Sequence, residues 1–387
     1  MIFSLEALQA FHGDCLLLHA GTADEPLLVL VDGGPSGTWE QSLQPRLSEL
    51  RAERSATGEP LRVDLAMVSH IDDDHVNGIV DFAGSLVTEL EDSKPLSYDV
   101  RILWHNSFDD VINDDVDELS TAAVGVLSQP VEDPKADEIR AAGLAIVASV
   151  GQGRELRQQA QQLGWAINEP FHGPVVLPAT GVRTITLGAV ELTVVCPHDA
   201  QLEKLHKVWD SWLQQHPKAV AKDRAATAAF VDNSPYNLSS IVVHAECEGR
   251  TMLLTGDARG DHVLSGLAEA GLAKDGKTHL DILKLPHHGS IRNLDPRFFE
   301  HVTADHYVIS ANGRDGNPET ETLDVIAASR EGDDDFEIHL TNRGGKGDLE
   351  QRLDAFLAAK EQSGRGYRIS FRDESALSLR IDLLAGS

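Results

Sequence analysis

The sequence predicts an α/β protein with mixed β-sheets, on three observations. Short apolar runs of strand length recur along the chain, stretches of helical period lie between them in both halves, and turn-forming residues separate the two. No fixed short repeat and no low-complexity tract interrupts the pattern. The 387 residues suffice for a sizeable core. The chain is read as one domain over 1–387.

Residues 2–8, 15–19 and 27–31 read as adjacent strands, closed by the sharp turn Asp32-Gly33-Gly34-Pro35. Residues 39–51 read as a helix, although Pro45 opposes it. Residues 63–68 read as one buried strand, with a helix from near Asn77 to about Leu90 and another strand at 101–104. The segment from about 106 to 182 differs: it opens on the acidic stretch 109–118 and continues with helical patterns at 136–150 and 154–163. It is read as a helical insertion, either a cap over a cleft or helices packed on one sheet face. Within it, Gly151-Gln152-Gly153-Arg154 opens a helix; its free N–H groups could receive an anion, although a plain turn is the favoured reading over a phosphate site.

Strands resume at 182–187 and 190–196, followed by a helix over 200–215. Residues 241–247 and 251–254 form a hairpin around Glu248-Gly249-Arg250. A helix near 261–270 precedes a strand at 280–285, and another helix is expected at 320–330. A C-terminal extension, about 331–387, continues with strand 336–340, helix 347–360 and strands 367–371 and 377–383.

The formal net charge of −29 argues against broad, backbone-driven binding of long nucleic acid, which needs a basic stripe. It does not exclude a phosphodiester substrate, because bound dications reverse the local field. No apolar window is long enough to span a membrane, and the start lacks a secretory pattern, so no membrane partner is expected. Three widely spaced cysteines read as buried thiols in a reducing compartment, with the cytoplasm as the default.

The chemistry centres on Ser69-His70-Ile71-Asp72-Asp73-Asp74-His75, which places His70, Asp72, Asp74 and His75 on the loop closing an apolar strand. Nitrogen and oxygen donors together suit a hydrolytic site holding one or two divalent cations. Two later pieces also follow apolar strands: Leu254-Thr255-Gly256-Asp257 and Pro286-His287-His288-Gly289-Ser290. Asp257 is placed to bridge two cations, and three strand ends supply groups that can converge.

These motifs resemble the metallo-β-lactamase superfamily, whose familiar pattern is His-x-His-x-Asp-His. Here Asp72 stands where the second His is usual. That variant, with Thr255-Gly256-Asp257 and His287-His288-Gly289-Ser290, is similar to the branch containing the nuclease domain of ComEC competence proteins. Gly13-Asp14-Cys15, Val31-Asp32-Gly33-Gly34 and Ser310-Ala311-Asn312-Gly313 also match, and the resemblance spans about residues 1–330.

The resemblance implies a four-layer αββα sandwich with two mixed β-sheets, and two divalent metal ions. His70 and Asp72 would serve one ion; Asp74, His75 and one of His287/His288 the other; Asp257 would bridge. His287 is favoured as the ligand and His288 as the group facing substrate. Asp74 would also orient the nucleophilic water, and Asp32 would brace the site. Where many members have a further histidine before the bridging aspartate, this chain reads Tyr236-Asn237-Leu238-Ser239-Ser240. Asn237 or Ser239 would replace it or contact substrate. Fewer nitrogens shift the expected metal from zinc toward manganese or magnesium, without excluding zinc.

His105 follows a strand end and is a weaker site candidate, as are His198, His172 and Ser290; His12, His19, His244 and His339 read as structural or surface residues. Relatives in the ComEC branch often show a His-Pro pair where this chain has Asn317-Pro318. The leading expectation is a phosphodiesterase or nuclease using metal-bound hydroxide, with a small or short phosphodiester substrate. Hydrolysis of an ester, lactone or amide is the alternative. A third reading is a metal-binding sensor or partner module, engaging a protein through the insertion in a multi-protein system such as phage defence. No counterpart of ComEC's membrane portion is expected in residues 1–387, so a DNA-uptake role is not expected.

Overall fold

In the computed structural model, which describes residues 1–55, 58–106, 151–178, 183–198, 239–294 and 297–385, apolar alternation builds two large sheets. Strands β1 (Ile2–Leu8), β2 (Leu16–Gly21) and β3 (Pro26–Val31) form an antiparallel meander. The run at 63–68 is not one strand. Asp64 divides it into β4 (Leu61–Val63) and β5 (Leu65–Val68), because its backbone and carboxylate both bond to Leu28 of β3. Strand β4 pairs with β6 (Tyr98–Val100) in a small separate ladder. Strand β5 joins β3 in parallel, followed by β7 (Ile102–His105) and β8 (Ala166–Ile167).

The second sheet repeats this plan. Strands β9 (Thr184–Leu187), β10 (Val190–Cys196), β11 (Val242–Cys247) and β12 (Arg250–Leu254) run antiparallel, the last two joined by the expected hairpin. Strands β13 (Thr278–Lys284), β14 (Val302–Ile309), β15 (Glu337–Leu340) and β16 (Arg368–Phe371) continue in parallel. Strand β17 (Ser378–Leu384) crosses back to the first sheet and pairs antiparallel with β1. Residues beyond 331 thus give two strands to one sheet and one to the other.

The strand alternation sorts residues between cores. Phe3, Leu5, Leu16, Leu18, Val29 and Met67 face Leu192, Val243, Met252, Leu254 and Ile282 between the sheets. The opposite faces are covered by helices. Helix α1 (Gln44–Arg54), α2 (Asp73–Glu91) and α3 (151–162) bury Leu47, Phe82, Leu156 and Ala160 against Leu17, Leu30 and Val68. Helix α4 (Gly260–Glu269), α5 (Phe298–His301), α6 (Thr320–Ser329) and α7 (Leu349–Ser363) bury Val263, Phe299, Leu323 and Leu353 against Leu253, Leu283 and Tyr307. The result is a four-layer αββα sandwich with two mixed sheets.

Pro45 lies in the first turn of α1, after a wide turn at Trp39–Leu43, where a missing N–H is tolerated. Residues 151–154 are helical. The expected helices at 136–150 and 200–215, the bulk of the insertion, and Asn237 lie outside the described residues. Cys15, Cys196 and Cys247 are buried free thiols. Among the described residues no helix is long and apolar enough to cross a membrane.

One polar cluster ties the outer layer together. Glu6 of β1, almost fully buried, accepts bonds from Arg46 of α1 (2.7 Å), from His19 of β2 (2.8 Å) and from Ser378 of β17. Arg54 donates to His19 Nδ1 (2.7 Å), so the His19 proton sits on Nε2, facing Glu6. Burial alone would raise the Glu6 pKa, but the bonds from His19, Arg46 and Ser378 outweigh it and hold it at about 2. Its folded pKa is therefore depressed. The stability it contributes is full above about pH 4.5 and is lost as pH falls toward 2, amounting to about 3 kcal/mol. Urea unfolding of wild type and Glu6→Gln at pH 7 and pH 3 should show a smaller acid loss in the variant. Equal losses would refute the assignment.

Candidate metal centre

The first half of the site forms where β3 and β5 end. The described geometry corrects the expected loop: α2 begins at Asp73, four residues earlier than the sequence suggested. His70 lies between β5 and α2, Asp72 flanks the helix start, and Asp74 and His75 occupy its first turn. Acidic residues there match the partial positive charge of the exposed N–H groups. The Asp32 carboxylate accepts bonds from Ser69 N (2.6 Å), Ser69 Oγ (2.7 Å) and His75 Nδ1 (2.8 Å), joining the two strand ends to the helix. Close backbone approach then wedges α2 in place. A Cβ on Gly78 would lie 2.0 Å from the Gly33 carbonyl oxygen, and one on Gly13 would lie 1.9 Å from that of Asp74.

The second half follows β12 and β13. Thr255 donates through Oγ1 to the Lys284 carbonyl (2.6 Å), and His287 N bonds to Gly256 O (3.1 Å), fixing Asp257 beside the paired histidines. His287 and His288 both take left-handed backbone angles, φ 49° and 53°, an unfavourable conformation for side-chain-bearing residues. The turn is held from α6, where Thr322 donates to Gly289 O (2.7 Å), and by Asn317, which donates to His287 O (3.4 Å).

The two halves meet around Asp257. Its Oδ1 lies 3.2 Å from His75 Nε2 and 3.5 Å from His288 Nε2. Its Oδ2 lies 3.7 Å from His287 Nε2 and 3.9 Å from His70 Nε2. Asp74 stands on the first side, 3.3 Å from His288 Nε2, and Asp72 on the second, 3.5 Å from His70 Nε2. Far nitrogens of three rings are anchored: His75 Nδ1 on Asp32, His288 Nδ1 on the Ser310 carbonyl (3.0 Å) and His70 Nδ1 on Ser69 Oγ (3.1 Å). Such partners fix the tautomer and turn the near nitrogens inward. His70 Nε2 is buried without a hydrogen-bond partner, as expected of a donor built for a cation. The donor set of imidazoles and carboxylates fits divalent metal.

The charges agree. Burial disfavours an ionised Asp257, yet His288, His75 and His287 hold its pKa well below the carboxylate range. Burial likewise disfavours protonated His288, but Asp257 and Asp14 raise it to about 10. His75 is raised strongly against its own burial by Asp257, Asp32 and Asp74. His287, where burial prevails, is lowered. The field that holds protons on two buried imidazoles is the field that draws in a dication.

The placement of the paired histidines differs from the expected one. His288, not His287, faces Asp74 and His75, while His287 joins the His70 side with 29% of its side chain exposed. Ser239 is buried next to Ser240, and Ser290 closes the histidine turn through its N–H to His287 O. His105 donates through Nε2 to Gly153 O (3.2 Å) and is gripped by Asn168, holding α3 to the end of β7. His198 contacts Glu269 and His172 contacts Glu169.

Three participants escaped the sequence reading. Ser69 stands in the sequence beside stronger donors, and Asp14 stands within a turn motif. Lys284, fully buried, donates to Asp14 Oδ2 (2.5 Å) and to the Leu285 carbonyl (3.0 Å). Asp14 Oδ1 in turn lies 3.4 Å from His288 Nδ1. The available signal was a lysine inside the apolar strand Ile282-Leu283-Lys284-Leu285, which demands a buried acid partner.

No protein-family model matches the chain, and no curated protein matches it in sequence. Among solved structures it is similar to the metallo-beta-lactamase fold protein YhfI from Bacillus subtilis. The identity there is 10% and the TM-score 0.41, over 98% of this chain and 99% of that one. It is also similar to unliganded yeast PDE1, at 10% identity and a TM-score of 0.39, over 96% and 98% of the two chains.

Removing one member of the Lys284–Asp14 pair leaves an uncompensated buried charge. Lys284→Met should cost about 3–5 kcal/mol in urea unfolding, and Lys284→Met/Asp14→Asn clearly less than the sum of the single losses. Additive losses would show that the two groups do not act as a pair.

Proposed function

We propose that the chain is a metal-dependent hydrolase whose two-metal site cleaves short phosphodiesters. The observation that carries this reading is the two-sided arrangement around Asp257, with Oδ1 toward His75 and His288 and Oδ2 toward His70 and His287. Asp74, His75 and His288 would hold one cation and His70, Asp72 and His287 the other, with Asp257 between them. Each set then offers two nitrogens and two carboxylates. That mixture suits zinc or manganese better than magnesium, which favours oxygen alone. Two dications bound there supply the Lewis acidity that a phosphoryl group needs for attack at neutral pH.

The chain's own residues do the rest. Side chains of Asp72, Asp74 and His287 are 32%, 24% and 29% exposed, against 0–5% for His70, His75, His288 and Asp257, so substrate enters from their side. Asp74, part-exposed beside the more open Asp72, would orient an entering water. Arg314 reaches His12 at 2.6 Å, and His12 lies within the fields of Asp74 and His288. On this reading, the Arg314 cation would receive the unreacting oxygens of the phosphodiester. The net charge of −29 favours a short substrate over a long polymer.

Elemental analysis of protein purified without added metal should find about two metals per chain that His75→Ala/Asp257→Ala loses. Hydrolysis of bis(p-nitrophenyl) phosphate, assayed in manganese, zinc and magnesium, should fall on the order of 10³-fold in Asp257→Ala. Bound metal with turnover of esters or lactones alone would replace this reading by carbonyl hydrolysis. A chain that takes up no metal under any loading would end both.

A further inference from the structure

A second cluster of metal-type side chains lies away from this centre, on β14 and β15. His306 stands opposite Glu337 in the parallel ladder, and His339 stands opposite Val308. Ile338, between Glu337 and His339, points into the outer core, so its two neighbours share the inner face of the sheet. His306 precedes by two residues Val308, which packs between the sheets. All three side chains therefore share one face. Their ligand atoms fall within 4.8 Å of one another. His306 Nδ1 and His339 Nε2 are 3.0 Å apart, and His339 Nδ1 lies 3.9 Å from Glu337 Oε1.

We propose that His306, Glu337 and His339 form a separate zinc site that cross-links β14 to β15. Two imidazoles and one carboxylate, with a position left for water, are a standard zinc donor set. Neighbours already orient the ligands: Ser370 on β16 meets His339 Nδ1 at 2.8 Å, and Arg368 donates to Glu337 Oε2 at 2.9 Å. Between two neutral rings, one facing nitrogen carries a proton and the other a lone pair; moving that one proton to the far nitrogen of its own ring would leave both facing lone pairs for zinc. Asp305 and Asp281 add negative potential at His306, opposed by the positive charge of Arg368. The cluster shares no residue with the Asp257 centre. His306 lies four residues back along β14 from Ser310, roughly 13 Å at strand rise.

The test is zinc stoichiometry after equilibrium dialysis at micromolar zinc. The full chain carrying His306→Ala/His339→Ala should bind about one zinc fewer than wild type and hydrolyse bis(p-nitrophenyl) phosphate at the wild-type rate. A variant disabled at the main centre, His75→Ala/Asp257→Ala, should keep about one zinc and lose it when the two further substitutions are added. If that variant fails to fold, the first comparison decides alone. An unchanged zinc count in His306→Ala/His339→Ala, or loss of the difference except at millimolar zinc, would overturn the proposal. A one-zinc difference in a chain without hydrolytic activity would leave this site standing while the phosphodiesterase reading falls.

Discussion

Asp14, Asp32 and Asp257 are almost completely removed from solvent at one end of the sandwich, and a carboxylate there stays ionised only if its charge is met. Each is met differently. Asp14 has the buried ammonium of Lys284, Asp32 has three donors from Ser69 and His75, and Asp257 has a ring of histidines. Local order at the site follows from this need. The start of α2, the end of β5 and the turn after β13 all take the positions that bring donors to these acids.

That demand explains why the backbone accepts unfavourable geometry. Asp32, His287 and His288 all sit at positive φ, and each supplies a group to the centre. The cost is carried by the packing around them: Asn317 and Thr322 secure the histidine turn, and Ser310 bonds to both sides, through Oγ to Gly13 and through its carbonyl to His288. The cross-sheet pair Lys284–Asp14 then joins the β1–β2 turn to β13, so the two halves of the centre cannot separate without exposing a buried charge pair.

Local pattern served well where a single element decides the outcome. The strands of both meanders, the hairpin at Glu248-Gly249 and helices α6 and α7 follow from alternation, turn residues and helical period. It failed where a contact distant in sequence wins. Asp64 breaks an apolar run because Leu28 offers it backbone partners. The start of α2 is set by Asp32 and by the Gly33–Gly78 contact, neither of which lies within the helix-start pattern itself. The pairing of β17 with β1 joins opposite ends of the chain, which no local window records.

The sequence by itself determined the layered α/β character and the donor inventory: His70, Asp72, Asp74 and His75 after one strand, Asp257 after another, His287 and His288 after a third. Residue type and position at a strand end are local properties, and they limit what chemistry is available. Only the tertiary structure decided which donors face each other. Adjacent histidines at 287 and 288 are equivalent in sequence, and the left-handed turn sends one to Asp74 and His75 and the other to His70. It also decided the roles of Lys284 and Asp14, because the need for a partner is written in the strand but its identity is a matter of which loop the second sheet packs against.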